Sequence, residues 1–149
     1  MDMLITSSAF EDGQMIPSIY TCDADNFNPP LEIKDVPQSA KSLALIMDDP
    51  DAPRGTFTHW VMWNIPPDTK IIDENDWPEG AEQGINDGGE LGYLGPCPPE
   101  GVHHYHFKLY ALNKILELSG DVEKEKLERE IEDNLIEKAE FVGLYKLTS

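Results

Sequence analysis

The chain has 149 residues, with 29 acidic side chains against 11 lysines and arginines, a formal charge of −18 at pH 7. Nine acidic and four basic residues between Asp121 and Glu140 give that stretch −5, so −13 lies outside it and the acidity is global. Such a surface repels phosphate backbones and anionic bilayers, which excludes nucleic-acid binding and stable docking on an acidic leaflet.

Three Trp, five Tyr and five Phe are enough for the core of a single domain over 1–149. The opening MDMLITSSAFEDG has neither the basic start nor the apolar stretch of a signal peptide, and no apolar run approaches the ~20 residues of a membrane span. A soluble, cytoplasmic protein without a transmembrane segment is expected. Pro29-Pro30 reads as a surface loop. Leu43 to Met47 (LALIM) is a short, fully apolar run, the pattern of a central strand buried on both faces.

Asp48 to Trp60 (DDPDAPRGTFTHW) follows directly and reads as a stiff loop, because Pro50 and Pro53 fix their own φ and donate no hydrogen bond. Its carboxylates have a structural reading: Asp49 and Asp51 beside a proline turn staple nearby backbone N–H groups. From Trp60 the chain alternates, so Val61, Trp63 and Ile65 share one strand face and the same parity puts His59 on it. Pro66-Pro67 and the Gly-, Asp- and Asn-rich stretch from Asp73 to Gly92 read as loops, the second bordering whatever cavity forms.

Tyr93 to Tyr105 (YLGPCPPEGVHHY) repeats the pattern of a turn-rich segment running into an alternating strand. Phe107, Leu109 and Ala111 share one face, and counting back by two adds His103 and Tyr105 to it. Two histidines and a tyrosine thus enter one core edge from two strands. A rim histidine is commonly a satisfied structural residue, but two in register with apolar faces favour a binding pocket. Further on, Val122, Leu127, Ile131, Leu135 and Ala139 recur at near four-residue spacing, which predicts one amphipathic helix with Asp121 as N-cap and Glu125 paired with Arg129. Cys22 and Cys97 are too few for a disulfide framework, and a cytoplasmic setting argues for reduced thiols, with a bridge between the two left open because intracellular proteins of hyperthermophiles do carry disulfides.

Here the residues carry a resemblance. DPDAP at Asp49 to Pro53 with His59-Trp60, and GPCPPEG at Gly95 to Gly101 with His103-His104-Tyr105, resemble the two signature segments of the phosphatidylethanolamine-binding protein family, also called Raf kinase inhibitor-like. FEDGQMIP at Phe10 to Pro17, Tyr20 to Asp23, Asn28 to Leu31 and Glu140 to Tyr145 are similar to its small bacterial and archaeal branch. The resemblance implies a mainly β protein: an antiparallel β-sandwich with irregular loops, to which the helical pattern adds one helix towards the C-terminus. It further implies a small cavity binding phosphate or the phosphoryl group of a lipid head group such as phosphoethanolamine.

Carried over residue by residue, the ligand-binding set is Asp49, Pro53, His59, Gly95, Cys97, Pro98, His103 and Tyr105. The resemblance also makes a homodimer and a role in inhibiting a protease or kinase expectations. The family's usual His-Arg-Tyr reads His103-His104-Tyr105 here, and alternation turns position 104 away from the pocket. The turn often written Cys-Asp-Gly reads Cys22-Asp23-Ala24, which leaves its backbone conformation open.

With Arg54 the one permanent cation in the two segments, the donors for an anion are protonated His59 or His103, the Tyr105 hydroxyl and backbone N–H groups around Gly95 and Cys97. Binding should then be weak and should improve as the histidines protonate. Asp49 is expected to orient a histidine or the loop, or to meet the ammonium of a zwitterionic ligand. The runner-up is a hydrolase or proton-transfer enzyme using Asp49, His59 and His103, and a third reading gives those three residues to zinc. No catalytic residue, cofactor or resident metal is assigned from the sequence.

Overall fold

The computed structural model describes residues 1–118 and 124–147. Two sheets face each other across the core. One is three-stranded and antiparallel, ordered β1-β2-β5, from β1 (Leu4–Thr6), β2 (Leu31–Lys34) and β5 (Ile71–Ile72). The other is five-stranded, ordered β6-β4-β3-β7-β8, and its neighbours also pair antiparallel. It comprises β3 (Ser42–Asp49), β4 (Phe57–Ile65), β6 (Glu82–Gln83), β7 (His103–Leu112) and β8 (Leu135–Tyr145). One helix, α1 (Lys124–Asn134), precedes β8.

β3 lies at the centre of the large sheet and is buried along its whole length, as the unbroken apolar run Leu43 to Met47 requires of its middle. Leu43, Leu45 and Met47 pack into the core between the sheets with Ile33, Trp60, Met62, Phe107 and Phe141. Ala44 and Ile46 face the other way, into a second cluster with Val61, Trp63, Leu116, Leu127 and Ile131. α1 therefore covers the outer face of the large sheet with Leu127 and Ile131, four residues apart and both buried.

The helix is shorter than its apolar spacing predicts. Leu135 and Ala139 belong to β8, which pairs with β7 from Leu112 back to His103. Four-residue spacing satisfies a strand of period two as well as a helix, and the alternation Ala139, Phe141, Gly143, Tyr145 supplies the buried face. The expected N-cap Asp121 and the helical Val122 lie outside the described residues. Among the described residues the i to i+4 ion pair that forms is Lys124 with Glu128 at 4.0 Å, in place of Glu125 with Arg129.

β4 departs from simple alternation twice. Its pairing with β3 slips by one residue between Trp60 and Thr58, opposite Met47 and Asp48, and again before Ile65, where Asn64 takes φ 55°. Val61 and Trp63 consequently face the α1 side, whereas Trp60, Met62 and Ile65 face the inter-sheet core. The face predicted for Val61, Trp63 and Ile65 together does not exist. His59 is the extra residue of the first bulge, and bulges of this kind re-aim side chains at the rim of a sheet.

Candidate functional site

At the end of the large sheet a cavity of about 200 Å³ is lined by Asp49, Ala52, Pro53, Phe57, His59, Cys97, Pro98, Pro99, His103 and Tyr105. Seven of the eight residues expected from the sequence meet here; Gly95 is absent from the wall. A larger hollow, about 610 Å³, lies among Met1, Ile33 to Val36 and Pro67 to Lys70, and it carries no histidine or tyrosine. The smaller cavity is the one with chemistry.

Asp49 ends β3 on the face of Leu45 and Met47 and is 3% exposed. Its Oδ1 accepts the backbone N–H of Asp51 at 2.8 Å, and its Oδ2 accepts Nδ1–H of His103 at 2.6 Å. The structural and the orienting roles foreseen for it thus coexist in one side chain. Each oxygen accepts one hydrogen bond from the protein.

β7 behaves as its alternation dictates. His103, Tyr105 and Phe107 are buried on the core face, and His104 is exposed. His104 donates both its backbone N–H and Nδ1–H to Asp51 Oδ2, at 2.8 and 2.7 Å, and this hydrogen bonding lowers the Asp51 carboxyl below its ordinary range. Where the family's usual pattern has arginine, this chain therefore keeps a contact to the 49–53 loop, away from the cavity.

The bulge brings His59 to the cavity, not the parity that the sequence suggests. Its ring stands 4.8 Å from Phe57 and meets Tyr105 edge-on at 5.2 Å between centroids. Leu94 fixes it twice: Leu94 N–H donates to the His59 carbonyl at 2.9 Å, and His59 Nδ1–H donates to the Leu94 carbonyl at 2.7 Å. A carbonyl can only accept, so the proton sits on Nδ1 and the neutral ring presents Nε2 as an acceptor. Burial pushes the imidazole below its ordinary pKa, outweighing the Leu94 carbonyl and the nearby charges of Asp49, Asp87 and Asp48. His59 is neutral near pH 7, contrary to the cationic donor expected.

A stability effect follows from that shift. As pH falls below about 6.5, the unfolded chain protonates this histidine while the folded one resists until its own lower pKa. Stability is complete above about pH 6.5 and declines on acidification through that window. Urea midpoints at pH 7 and 5.5 should differ more for the parent than for His59→Gln, and equal differences would refute the assignment.

Tyr105 is fully buried, and its hydroxyl is one of two buried side-chain polar atoms without a hydrogen-bond partner among the described residues, with Thr58 Oγ1. Burial first, then the negative charges of Asp49 and Asp51, push its phenol far above the ordinary value, so it remains a neutral donor.

The second loop is held from behind. Cys22 and Cys97 form a disulfide with their Cα atoms 5.5 Å apart, which corrects the expectation of reduced thiols. That expectation came from compartment and cysteine count; the fold decides otherwise by docking residues 93–97 on the 20–26 segment. Cys22 N–H donates to Pro96 O at 3.1 Å, Tyr93 Oη–H to Tyr20 O at 2.7 Å, and Gly95 N–H to Asn26 Oδ1 at 2.8 Å. A Cβ on Gly95 would lie 2.4 Å from Tyr20 O, so this glycine permits close approach and its N–H is not offered to a guest. The turn needs no glycine at Ala24, which does not take a positive φ; the left-handed residue nearby is Asn26, at φ 61°.

The 73–92 stretch borders the adjoining hollow of about 410 Å³ through Asp87, beside Arg54, Gly55 and Thr56. Phe57, Ala52 and Pro99 are wall residues that sequence reasoning missed. Phe57 was legible, since it lies two residues before His59 on the same strand. Among the described residues no group of three or more His, Cys, Asp or Glu is placed to hold a metal ion.

The sequence profile described as phosphatidylethanolamine-binding protein matches residues 6–146. The chain belongs to the phosphatidylethanolamine-binding protein family. A UPF0098 protein of Methanothermobacter thermautotrophicus is 50% identical over 149 residues, covering 97% of this chain and 99% of that one. The crystal structure of a protein described as a phosphatidylethanolamine-binding protein homolog from Chlamydia trachomatis superposes with a TM-score of 0.94 at 40% identity, over 98% of each chain. That of E. coli YbcL, described as a new member of the mammalian family, gives 0.92 at 29% identity, over 99% of this chain and 100% of that one. The expected family and mainly antiparallel β architecture are therefore borne out. No described helix is long and apolar enough to cross a membrane.

Proposed function

We propose that the cavity holds a small oxyanion, phosphate or the phosphoryl group of a phosphoethanolamine-like molecule, and that the protein acts as a binding module. One observation carries this reading: the buried, unpartnered Tyr105 hydroxyl in the cavity wall. Leaving such a group unpaired costs about 1–3 kcal/mol, a cost that a guest accepting its hydrogen bond offsets. His59 and His103 each commit Nδ1 to the protein, so Nε2 is the ring nitrogen left to a guest in the same cavity. Prolines 53, 98 and 99 with Ala52, Phe57 and Cys97 form the rest of the wall beside Asp49, rigid and apolar enough to strengthen hydrogen bonds inside. At about 200 Å³ the space falls below the ~300–1,000 Å³ of drug-sized sites, which suits a head-group-sized ligand.

Tyr105→Phe separates this reading from a merely structural tyrosine. Removing an unsatisfied buried hydroxyl should leave stability unchanged or raise it by up to about 1–2 kcal/mol, while affinity for phosphoethanolamine falls roughly tenfold or more. Denaturant unfolding and calorimetry read the two effects. Unchanged affinity, with phosphoethanolamine binding in the parent, would sink the role given to Tyr105.

A second reading rests on the buried Asp49–His103 pair, an arrangement that also holds an imidazole ready for proton transfer. Binding is favoured because no serine lines the cavity and the Cys97 sulfur is tied up in the disulfide, leaving no evident nucleophile. Loss of turnover in a hydrolase panel on replacing His103 would support the enzyme; loss of affinity alone supports the binding module.

A further inference from the structure

Resting on the anion-pocket reading, the geometry points to a ligand that arrives with its own acidic hydrogen: the cavity selects the singly charged, protonated form of a phosphomonoester over both the dianion and any phosphodiester. The argument begins at His59. Its Nδ1–H donates to the Leu94 carbonyl, and that carbonyl has no hydrogen with which to reverse the bond. The neutral ring therefore turns a lone pair on Nε2 towards the guest. An oxyanion without a hydrogen would set lone pair against lone pair there.

Two remedies exist, and each places one extra proton between the ligand oxygen and Nε2. Either the ring is protonated or the ligand supplies a P–OH. Burial opposes the first. The second is available near neutrality, because the second ionisation of a phosphomonoester has a pKa of about 6. A diester has no P–OH to give.

The charges around the cavity ease protonation of the ring without outweighing its burial, and they also decide how much charge a guest can carry. Asp49 lies in the wall from β3, and Asp87 and Asp48 add negative potential at His59 from the loop after β6 and from β3. His103, paired with Asp49, and the neutral Tyr105 hydroxyl face the guest from β7. Arg54 lines the adjoining hollow instead of this one. A carboxylate wall penalises the second charge of a dianion, and the −18 of the whole chain adds to that. In the bound state the phosphoryl oxygens accept from Tyr105, and the P–OH donates to His59. A membrane lipid head group is joined through a diester, so a free monoester is the matching source.

Titration calorimetry with phosphoethanolamine and with its diester, glycerophosphoethanolamine, between about pH 5.5 and 8.5, in two buffers of different ionisation enthalpy, tests this. The monoester should bind at least tenfold more tightly at pH 7. Above about pH 7 its affinity should fall close to tenfold per unit, with up to one proton taken up on binding. In His59→Gln the amide can donate, so the slope should flatten while binding persists. Equal affinity for the two ligands, or no proton uptake, overturns the inference and leaves the anion pocket standing. A slope unchanged in His59→Gln also overturns it, since the proton then belongs elsewhere. Absence of binding by either ligand and by inorganic phosphate overturns the pocket reading together with it.

Discussion

An Asp49→Ala protein is expected to lose about 1–3 kcal/mol of folding stability, the range for leaving a buried donor, here His103 Nδ1–H, without its acceptor, and with it affinity for phosphate. The carboxylate closes the proline loop through Asp51 N–H and orients His103 through Nδ1, with the side chains of His103 and Asp49 only 9% and 4% exposed. Deleting it strands the buried His103 Nδ1–H, while Asp51 N–H, on an exposed residue, can return to water. Asp49→Asn keeps an acceptor for one of them and should recover part of the loss. Urea unfolding of the three proteins measures this, and a deficit below about 1 kcal/mol for Asp49→Ala would show that the pair contributes little.

Cys22→Ser with Cys97→Ser should cost more, by another route. The bridge spans 75 positions, and closing a loop of that size removes unfolded-chain entropy worth about 4 kcal/mol. For a chain of this length that corresponds to a melting temperature lower by roughly 8–16 °C. Scanning calorimetry on the double variant and on the reduced parent should give matching decreases. An unchanged melting point would mean that the hydrogen bonds from Cys22, Tyr93 and Gly95 hold the loop alone. Ligand affinity should fall as well, since Cys97 and Pro98 form one wall of the cavity.

The two strands that supply the imidazoles show what alternation can and cannot reveal. β7 pairs on both sides and keeps its register with β8 from His103 to Ala111, so counting by two placed His103 and Tyr105 correctly. β4 slips twice, and nothing in FTHWVMWNI marks the slips except Asn64, a residue that tolerates positive φ. His59 was therefore placed in the cavity by a parity that the fold does not keep. The apolar run Leu43 to Met47 of β3 was readable because burial on both faces leaves no polar position within it. The junction of α1 and β8 was not, because no glycine or proline separates them and Leu135 and Ala139 fit both periods. Gly95 and the disulfide depend on a partner some 70 residues away, and local pattern holds no record of it.

Asp49 and His103, the pair that anchors the cavity, stand 54 positions apart and meet only when β7 docks against β3. A chain in which that docking has not occurred has no hollow to offer, so any occupant recognises the finished fold alone. Occupancy then acts as a thermodynamic brace of RT ln(1 + [L]/Kd), about 2.7 kcal/mol at a hundredfold excess over Kd. For so acidic a chain, abundance of the small molecule could set how much of the protein survives heat or proteolysis.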